Sequence, residues 1–129
     1  EIGWHEVKLT EQADQSPVFT SVFPKQFPVF QWHGDTFQIP SGAIRLAESQ
    51  ACPNQAFQYG SNVLALQFHI EYTQESIEKM LIHCADDLTN GPCIQKGNTI
   101  RSGYNLIDSM QKKLTRLLDT WLRSGEQVK

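Results

Sequence analysis

The sequence predicts an α/β fold in which several strands come first and two helices come last. Short segments of strand composition, separated by turn residues, fill about the first three-fifths of the chain, and two apolar stripes with helical spacing fill the rest. Between them, the nearly continuous apolar run Val63–Leu66 leads through a polar turn into the first stripe. Sites in open α/β sheets form at the carboxyl ends of strands, so a functional site is expected at this junction.

The strand region is divided by turn residues. Gly34-Asp35 and Pro40-Ser41-Gly42 predict turns, and Gly60-Ser61-Asn62 predicts a hairpin. Thr10–Phe27, a polar stretch with two prolines, is predicted to be a surface loop, and Val63–Leu66 to be a strand buried on both faces. The predicted strands are Gly3–Leu9, Val29–His33, Thr36–Ile39, Ala43–Glu48, Ala56–Tyr59 and Val63–Phe68.

The helical region begins at Thr73, a predicted N-cap that is followed by Glu75 in the first turn. Gly91-Pro92 is expected to end this helix, and a loop then runs to about Gly103. The last helix is predicted from about Asn105 to Arg123. Both apolar stripes are more typical of helices that pack in a core than of a cofactor site, so no cofactor is predicted. The first stripe consists of Ile77, Met80, Leu81, Cys84 and Leu88, and the second of Ile107, Met110, Leu114, Leu117, Leu118, Trp121 and Leu122.

Charge and hydropathy argue against two classes of function. The net charge is −3 and the only basic cluster, Lys112-Lys113 with Arg116, lies in a helical pattern, so nucleic-acid binding is not expected. No run of about 18 apolar residues predicts a membrane span, and the first residues do not resemble a signal peptide. They have the composition of a strand interior, which suggests that the chain begins within a domain.

Three cysteines without regular spacing argue against a disulfide framework and favour a reducing, cytoplasmic setting. Cys84 belongs to the first apolar stripe and is expected in the core, whereas Cys93 follows Gly91-Pro92 and is expected to be a free thiol. No pair of cysteines or histidines has the spacing of zinc ligands, so no metal site is predicted. His83 is expected to be solvated.

His69 and Glu71 are the residues that suggest chemistry. In an extended segment, residues i and i+2 share a face, so the carboxylate of Glu71 could accept a hydrogen bond from one imidazole nitrogen of His69. That bond would fix the tautomer and leave the other nitrogen as a base for a nucleophile. The alternative is a structural histidine beside a surface glutamate, which so short a pattern also permits.

The segment Gln67-Phe68-His69-Ile70-Glu71 resembles the QFHPE motif of class I glutamine amidotransferases. Phe30–Phe37, with the sequence FQWHGDTF, resembles the HWHGDTF segment of the GMP-synthase-like branch of that family. Further pieces follow the family order over roughly residues 1 to 71, and the joint match is more specific than any single piece. These further pieces are Glu1-Ile2-Gly3-Trp4, Phe27-Pro28-Val29-Phe30 and Ala51-Cys52-Pro53-Asn54-Gln55-Ala56-Phe57.

The resemblance implies that residues 1–129 are the C-terminal part of one glutamine amidotransferase domain with a flavodoxin-like fold. It implies a Cys-His-Glu triad that releases ammonia from the glutamine side chain, with His69 as base and Glu71 as its orienting carboxylate. It also implies that His33, Gly34 and Asp35 form a turn beside the glutamine pocket, where Asp35 could pair with the substrate α-ammonium.

Two departures from the family pattern stand out. Ile70 replaces the proline between histidine and glutamate, which changes the stiffness of the turn and not its chemistry. The G-x-C-x-G-x-Q elbow, which carries the nucleophile and backbone donors for the oxyanion, is absent from the sequence. Cys52 is a poor substitute, since Pro53 removes a backbone N–H that an oxyanion hole would need.

Three functions therefore stay open from the sequence. The chain could be part of an amidotransferase or glutaminase whose missing N-terminal half carries the elbow, and this fragment alone would then be inactive. It could instead cleave γ-glutamyl peptides with the same triad, or be a non-catalytic binding domain. In the first case a sheet cut at Glu1 would expose an unpaired edge and one face of its core, and a second copy of the chain is one candidate to cover them.

Overall fold

The computed structural model describes residues 1–126. It consists of one five-stranded sheet, with the order β2-β1-β3-β4-β5, and helices packed around it. Every pair of neighbouring strands is antiparallel. The strands are β1 (Ile2–Leu9), β2 (Gln26–Trp32), β3 (Ile44–Ser49), β4 (Ala56–Tyr59) and β5 (Val63–Leu66). The helices are α1 (Pro17–Val22), α2 (Gln74–His83), α3 (Gly97–Ser102) and α4 (Ile107–Glu126).

Strand β1 organises the sheet because it pairs with three segments. It pairs with β2 along nearly its whole length, and with β3 only at its end, from Val7 to Leu9. At its start the same edge is occupied by Ile94 in a parallel bridge. The Ile2 N–H donates to the carbonyl of Cys93 at 2.9 Å, and the Gln95 N–H donates to the carbonyl of Ile2 at 2.9 Å. A late loop thus satisfies backbone groups that β3 leaves unpaired.

The sheet curls because the residues after β5 return to β2, the strand at its opposite edge. His69 donates its N–H to the carbonyl of Phe30 at 2.8 Å and accepts from the Phe30 N–H at 3.3 Å. This bridge fixes the backbone of His69 to the sheet. His69 lies three residues beyond the end of β5, where the sequence predicted the site, and β5 pairs antiparallel with β4.

A cluster of four phenylalanine rings fills part of the hydrophobic core. Phe23 stacks on Phe27 with ring centroids 4.7 Å apart and lies 4.5 Å from Phe19, while Phe68 meets Phe27 edge-on at 5.9 Å. All four rings are buried. Aromatic pairs of this kind stabilise a fold by about 0.5–1.5 kcal/mol each beyond the area they bury.

The prediction of a surface loop over Thr10–Phe27 was wrong. This stretch contains the short helix α1, whose first turn is capped by Ser16, and Phe19 and Val22 on that helix are buried. Ser16 followed by Pro17 is a standard helix start, since the hydroxyl accepts a backbone N–H and proline suits the first helical position. The apolar spacing that follows was too short to predict a helix.

Two strand predictions also needed correction. Thr36–Ile39 forms no strand: Phe37 instead packs edge-on against Phe57 at 5.2 Å, and its carbonyl accepts from the side chain of Asn54 at 2.9 Å. Val63–Leu66 is an edge strand whose first residue, Val63, is 47% exposed, so it is not buried on both faces.

The helices agree with the sequence in type and differ in their bounds. Thr73 caps α2 as predicted and forms a capping box with Ser76, but α2 ends at His83, well before Gly91-Pro92. Helix α3 lies inside the predicted loop, and α4 matches the predicted last helix. Within residues 1–126 no helix combines the length and the apolar character needed to cross a membrane.

Candidate active site

The imidazole of His69 and the carboxylate of Glu71 form the hydrogen bond that the sequence predicted. The distance between His69 Nδ1 and Glu71 Oε1 is 2.7 Å, and Glu71 Oε2 accepts from the Ile70 N–H at 3.0 Å. With a carboxylate as its partner, Nδ1 is the protonated nitrogen and donates. In the described part of the chain, Nε2 makes no hydrogen bond, so it is the nitrogen left to act as a base.

The carboxylate of Glu71 is stabilised in its charged form. Partial burial works to raise its pKa, but hydrogen bonds from His69 and from the backbone outweigh that effect and lower the pKa below its usual value. Glu71 is therefore ionised at neutral pH and complements an imidazolium. The two side chains are 29% and 56% exposed, so the pair itself stabilises the fold by no more than about 1 kcal/mol.

Tyr72 forms one wall of the site, although the sequence did not suggest it. Its ring meets the imidazole of His69 edge-on, with centroids 4.8 Å apart and planes at 87°. Its other neighbour is Phe30, at 5.1 Å. Burial, followed by the charge of Glu71 and the nearby Cys84, raises the pKa of the Tyr72 phenol. Its position between Glu71 and the helix cap Thr73 is the only feature of the sequence that could have marked it.

The turn His33-Gly34-Asp35 follows β2 directly. His33 Nδ1 lies 2.8 Å from the Asp35 carbonyl oxygen, and Nε2 lies 3.1 Å from Glu1 Oε2. Both partners accept hydrogen bonds, so the ring serves to hold the turn. Gly34 and Asp35 are exposed, and a side chain added at Gly34 would meet no atom within 4 Å.

Glu1 is the centre of a buried polar network behind this turn. Its side chain is 3% exposed and accepts from Ser49 Oγ at 2.7 Å and from Gln55 Nε2 at 2.7 Å, in addition to His33. Gln31 Nε2 in turn donates to Gln55 Oε1 at 3.0 Å. Burial works to raise the pKa of Glu1, but the bonds from His33 and Ser49 lower it, so the carboxylate stays charged.

The two groups of candidate residues lie on different faces of β2. His69 pairs with Phe30, and residues directly opposite in an antiparallel pair project to the same face. Gln31 and His33 lie one and three positions after Phe30, so their side chains project to the other face. Gln31 forms a hydrogen bond with Gln55, and His33 forms one with Glu1. The structure thus brings His69 and Glu71 together and gives the ring of His33 a separate set of partners.

The three cysteines are free, and within residues 1–126 no cysteine thiol forms a hydrogen bond with His69. Cys52 is buried, and its thiol lies 3.2 Å from Thr36 Oγ1 and 3.7 Å from the Asn54 carbonyl. Cys84 is half-buried beside Met80 rather than in the core, and Cys93 is half-buried in its loop. His83 is exposed, as expected. No group of three metal-ligating side chains occurs in the part of the chain that the structure covers.

Comparison with known proteins agrees with the resemblance seen in the sequence. The chain is 34% identical over 123 residues to the glutamine amidotransferase-like protein YfeJ of Salmonella typhimurium, a match that covers 92% of the chain and 50% of YfeJ. No protein-family model matches the sequence.

Several solved structures resemble the fold, and two of them are named glutamine amidotransferases. A glutamine amidotransferase from Thermotoga maritima is similar with a TM-score of 0.77 and 31% identity, over 94% of this chain and 50% of that one. A glutamine amidotransferase from Methylobacillus flagellatus has a TM-score of 0.83 over 96% of this chain and 52% of that one, and at 23% identity it supports the fold alone. The resemblance to glutamine amidotransferases is therefore confirmed, whereas the GMP-synthase-like branch stays a prediction, and the chain spans about half the length of the relatives that it matches.

Proposed function

We propose that this chain, a relative of glutamine amidotransferase-like proteins over half of their length, is the part of such a domain that carries the catalytic base. In this proposal it takes part in hydrolysis of the glutamine side-chain amide to glutamate and ammonia. The observation that carries the proposal is the geometry of His69, whose Nδ1 is fixed by Glu71 while Nε2 is unpartnered within residues 1–126. A base of this kind has no function without a nucleophile.

The nucleophile in the proposed reaction is a cysteine that lies outside residues 1–129. His69 Nε2 takes the thiol proton, and the thiolate attacks the amide carbon of glutamine. His69 then gives the proton to the leaving nitrogen, which departs as ammonia and leaves a γ-glutamyl thioester. Water attacks the thioester with His69 as base, and glutamate leaves as the thiol regains its proton.

Glu71 supports this cycle by holding the imidazole in one tautomer and by stabilising the imidazolium that forms twice in each turnover. Its depressed pKa keeps it charged, so it does not take the proton itself. We propose that the oxyanion is bound by backbone N–H groups beside the nucleophile, also outside residues 1–129.

The turn after β2 is the proposed contact for the α-ammonium and α-carboxylate of glutamine. Asp35 and Gly34 are exposed and free to meet a substrate, whereas His33 would hold the turn through Glu1 and the Asp35 carbonyl. A cleft of about 390 Å³ adjoins the turn and is lined in part by Trp32, His33 and Gly34.

The test is glutamate release from glutamine by two proteins: residues 1–129 alone, and the chain extended upstream through a cysteine elbow. We expect release by the extended protein only, and a fall in kcat of roughly 10²–10⁴-fold for His69→Ala. His83→Ala, which changes an exposed histidine at the end of α2, is the matched control and should retain activity.

Two other outcomes would change the assignment. An extended protein that cleaves γ-glutamyl peptides but not glutamine would indicate a peptide hydrolase with the same base. An extended protein that binds glutamine and releases no glutamate would contradict the proposal and favour a binding role.

A further inference from the structure

We propose that Tyr72 is a positioning residue for His69, whose ring holds the imidazole with Nδ1 toward Glu71 and Nε2 free. The inference rests on the proposed function only in calling the imidazole a base. The orientation itself is a property of the fold and is measurable without any reaction.

The hydrogen bond to Glu71 is a weak restraint by itself. Glu71 is 56% exposed, so water competes for its carboxylate and for Nδ1. His69 has two side-chain torsions, and a 180° rotation of its ring would exchange Nδ1 with Cδ2 and Nε2 with Cε1, which would break the bond to Glu71 and move the base. A second contact is therefore needed to fix the imidazole.

Tyr72 supplies that contact from a direction that Glu71 does not cover. The two rings lie edge-on at 87°, with centroids 4.8 Å apart, an arrangement that is favourable for aromatic groups and specific in geometry. A torsional change that turns the plane of the His69 ring would break this arrangement, whereas a 180° flip keeps the plane and would instead break the bond from Nδ1 to Glu71. The edge-on contact and the carboxylate together define one orientation.

Tyr72 can act as a fixed wall because it is itself held from three sides. Its ring packs against the buried Phe30 at 5.1 Å. Its carbonyl accepts from Gln111 Nε2 of α4 at 3.2 Å. The next residue, Thr73, enters the capping box of α2, which fixes the backbone immediately after Tyr72.

The ring of Tyr72 carries this role and its hydroxyl does not. Within residues 1–126 the phenol oxygen makes no hydrogen bond, and the contacts just described involve the ring or the backbone. Phenylalanine at position 72 should therefore preserve the orientation of His69, whereas an aliphatic residue should lose it.

A purely structural role must be separated from positioning. Tyr72 precedes the N-cap of α2, and Ile77 occupies the position that packs against such a residue in a hydrophobic staple. Tyr72→Leu keeps an apolar side chain for the staple and removes the aromatic wall. Tyr59→Leu makes the same change at an exposed tyrosine on β4 and is the matched control.

The experiment is nitrogen-15 NMR of the imidazoles in the complete natural protein that contains residues 1–129, with His69→Gln to assign the signal. At about pH 8, where a free imidazole is neutral, we expect one tautomer protonated at Nδ1 in the wild type, in Tyr72→Phe and in Tyr59→Leu. Tyr72→Leu should give a mixture of tautomers. If that variant does not fold, Tyr72→Met provides the same comparison.

A folded Tyr72→Leu or Tyr72→Met protein with the wild-type tautomer would overturn the inference. Kinetics give a second readout: kcat for glutamate release should fall roughly tenfold or more in Tyr72→Leu, with KM changed less than about twofold. A wild-type protein without glutaminase activity, but with the expected tautomer change in Tyr72→Leu, would remove the proposed function and leave the positioning role intact.

Discussion

His69 is restrained by three contacts of different kinds. Its backbone pairs with Phe30, its Nδ1 bonds to Glu71, and its ring meets Tyr72. Only the first contact is distant in sequence, so most of the orientation of the base is encoded in the four residues from His69 to Tyr72. An imidazole that is oriented before substrate arrives loses little entropy when it acts.

Gln67 carries a buried polar atom without a partner in the described part of the chain. Its side-chain oxygen is buried and has no hydrogen-bond partner within residues 1–126. A buried acceptor without a partner costs about 1–3 kcal/mol, so Gln67→Leu should raise the free energy of unfolding of residues 1–129 by roughly 1 kcal/mol. Urea denaturation of the two proteins measures the difference.

Gln95→Leu is the contrasting variant for this prediction. The amide of Gln95 accepts from the Trp4 N–H at 2.9 Å and donates to the Trp4 carbonyl at 2.7 Å. Its loss should lower the free energy of unfolding by roughly 2–3 kcal/mol. Equal destabilisation by both leucine variants would show that the oxygen of Gln67 is satisfied.

At the scale of single residues, the sequence predicted the contact between near neighbours in the chain and not the contacts between distant residues. The hydrogen bond between His69 and Glu71 follows from the i, i+2 geometry of an extended segment and is present, while its catalytic role stays a prediction. The network at Glu1 was not foreseen, since Glu1 and Gln55 are 54 positions apart and no local pattern connects them.

Among the secondary-structure elements, α2 and α3 are connected by hydrogen bonds to the carboxylate of Glu78. Glu78 of α2 accepts from Arg101 Nε and Nη2 of α3, both at 2.9 Å, and from the Tyr104 hydroxyl at 2.6 Å. The hydrogen bonds from Arg101 and Tyr104 lower the pKa of Glu78 from 4.5 to about 2. Burial and the bond to Glu78 raise the pKa of Tyr104 to about 12.

The lowered pKa of Glu78 predicts how the free energy of unfolding depends on pH. Because the pKa of Glu78 is lower in the folded protein, its contribution is fully present above about pH 4.5 and is lost as the pH falls toward about 2. The difference in free energy of unfolding between the wild type and Glu78→Gln should therefore shrink across that range. Denaturation curves at several pH values measure it, and a constant difference would contradict the assignment.

The elements that the sequence predicted are those with long patterns or strong caps. Helix α4 has a sustained apolar stripe, and α2 has the cap at Thr73. Helices α1 and α3 have six residues each, too few to establish a helical period, and they form because Phe19, Val22 and Ile100 become buried in the hydrophobic core.

In the molecule as a whole, the loop after α2 and the helix α3 that follows it dock on the start of β1. The indole of Trp4 donates to the Ile100 carbonyl at 2.8 Å, and Gln95 bonds to both backbone groups of Trp4. Gly3 makes this approach possible, since its φ is +107° and a side chain there would collide with Gln95.

Gly3→Ala tests this docking. The substitution should lower the free energy of unfolding by about 2 kcal/mol or more, because it combines an unfavourable φ with the collision. Gly34→Ala is the matched control: its added methyl group meets no atom within 4 Å, so stability should change by less than about 0.5 kcal/mol. Similar effects of the two substitutions on denaturation would contradict the docking.

At the scale of the whole molecule, the sequence predicted the α/β class but not the order and direction of the strands in the sheet. The antiparallel order and the curl depend on pairings such as His69 with Phe30 and Ile94 with Ile2, which connect distant segments. The chain spans about half the length of its relatives. We propose that the remaining half brings the nucleophile to Nε2 of His69.

The measurement that tests this claim most directly is the rate at which iodoacetamide alkylates the nucleophilic cysteine of the extended protein. Cys52, Cys84 and Cys93 are replaced by serine, so that they do not contribute. If His69 takes the thiol proton, His69→Ala should slow alkylation at about pH 7 by roughly tenfold or more, because a free thiol is mostly protonated there. His83→Ala should leave the rate unchanged. Equal rates for the wild type and His69→Ala would contradict the account.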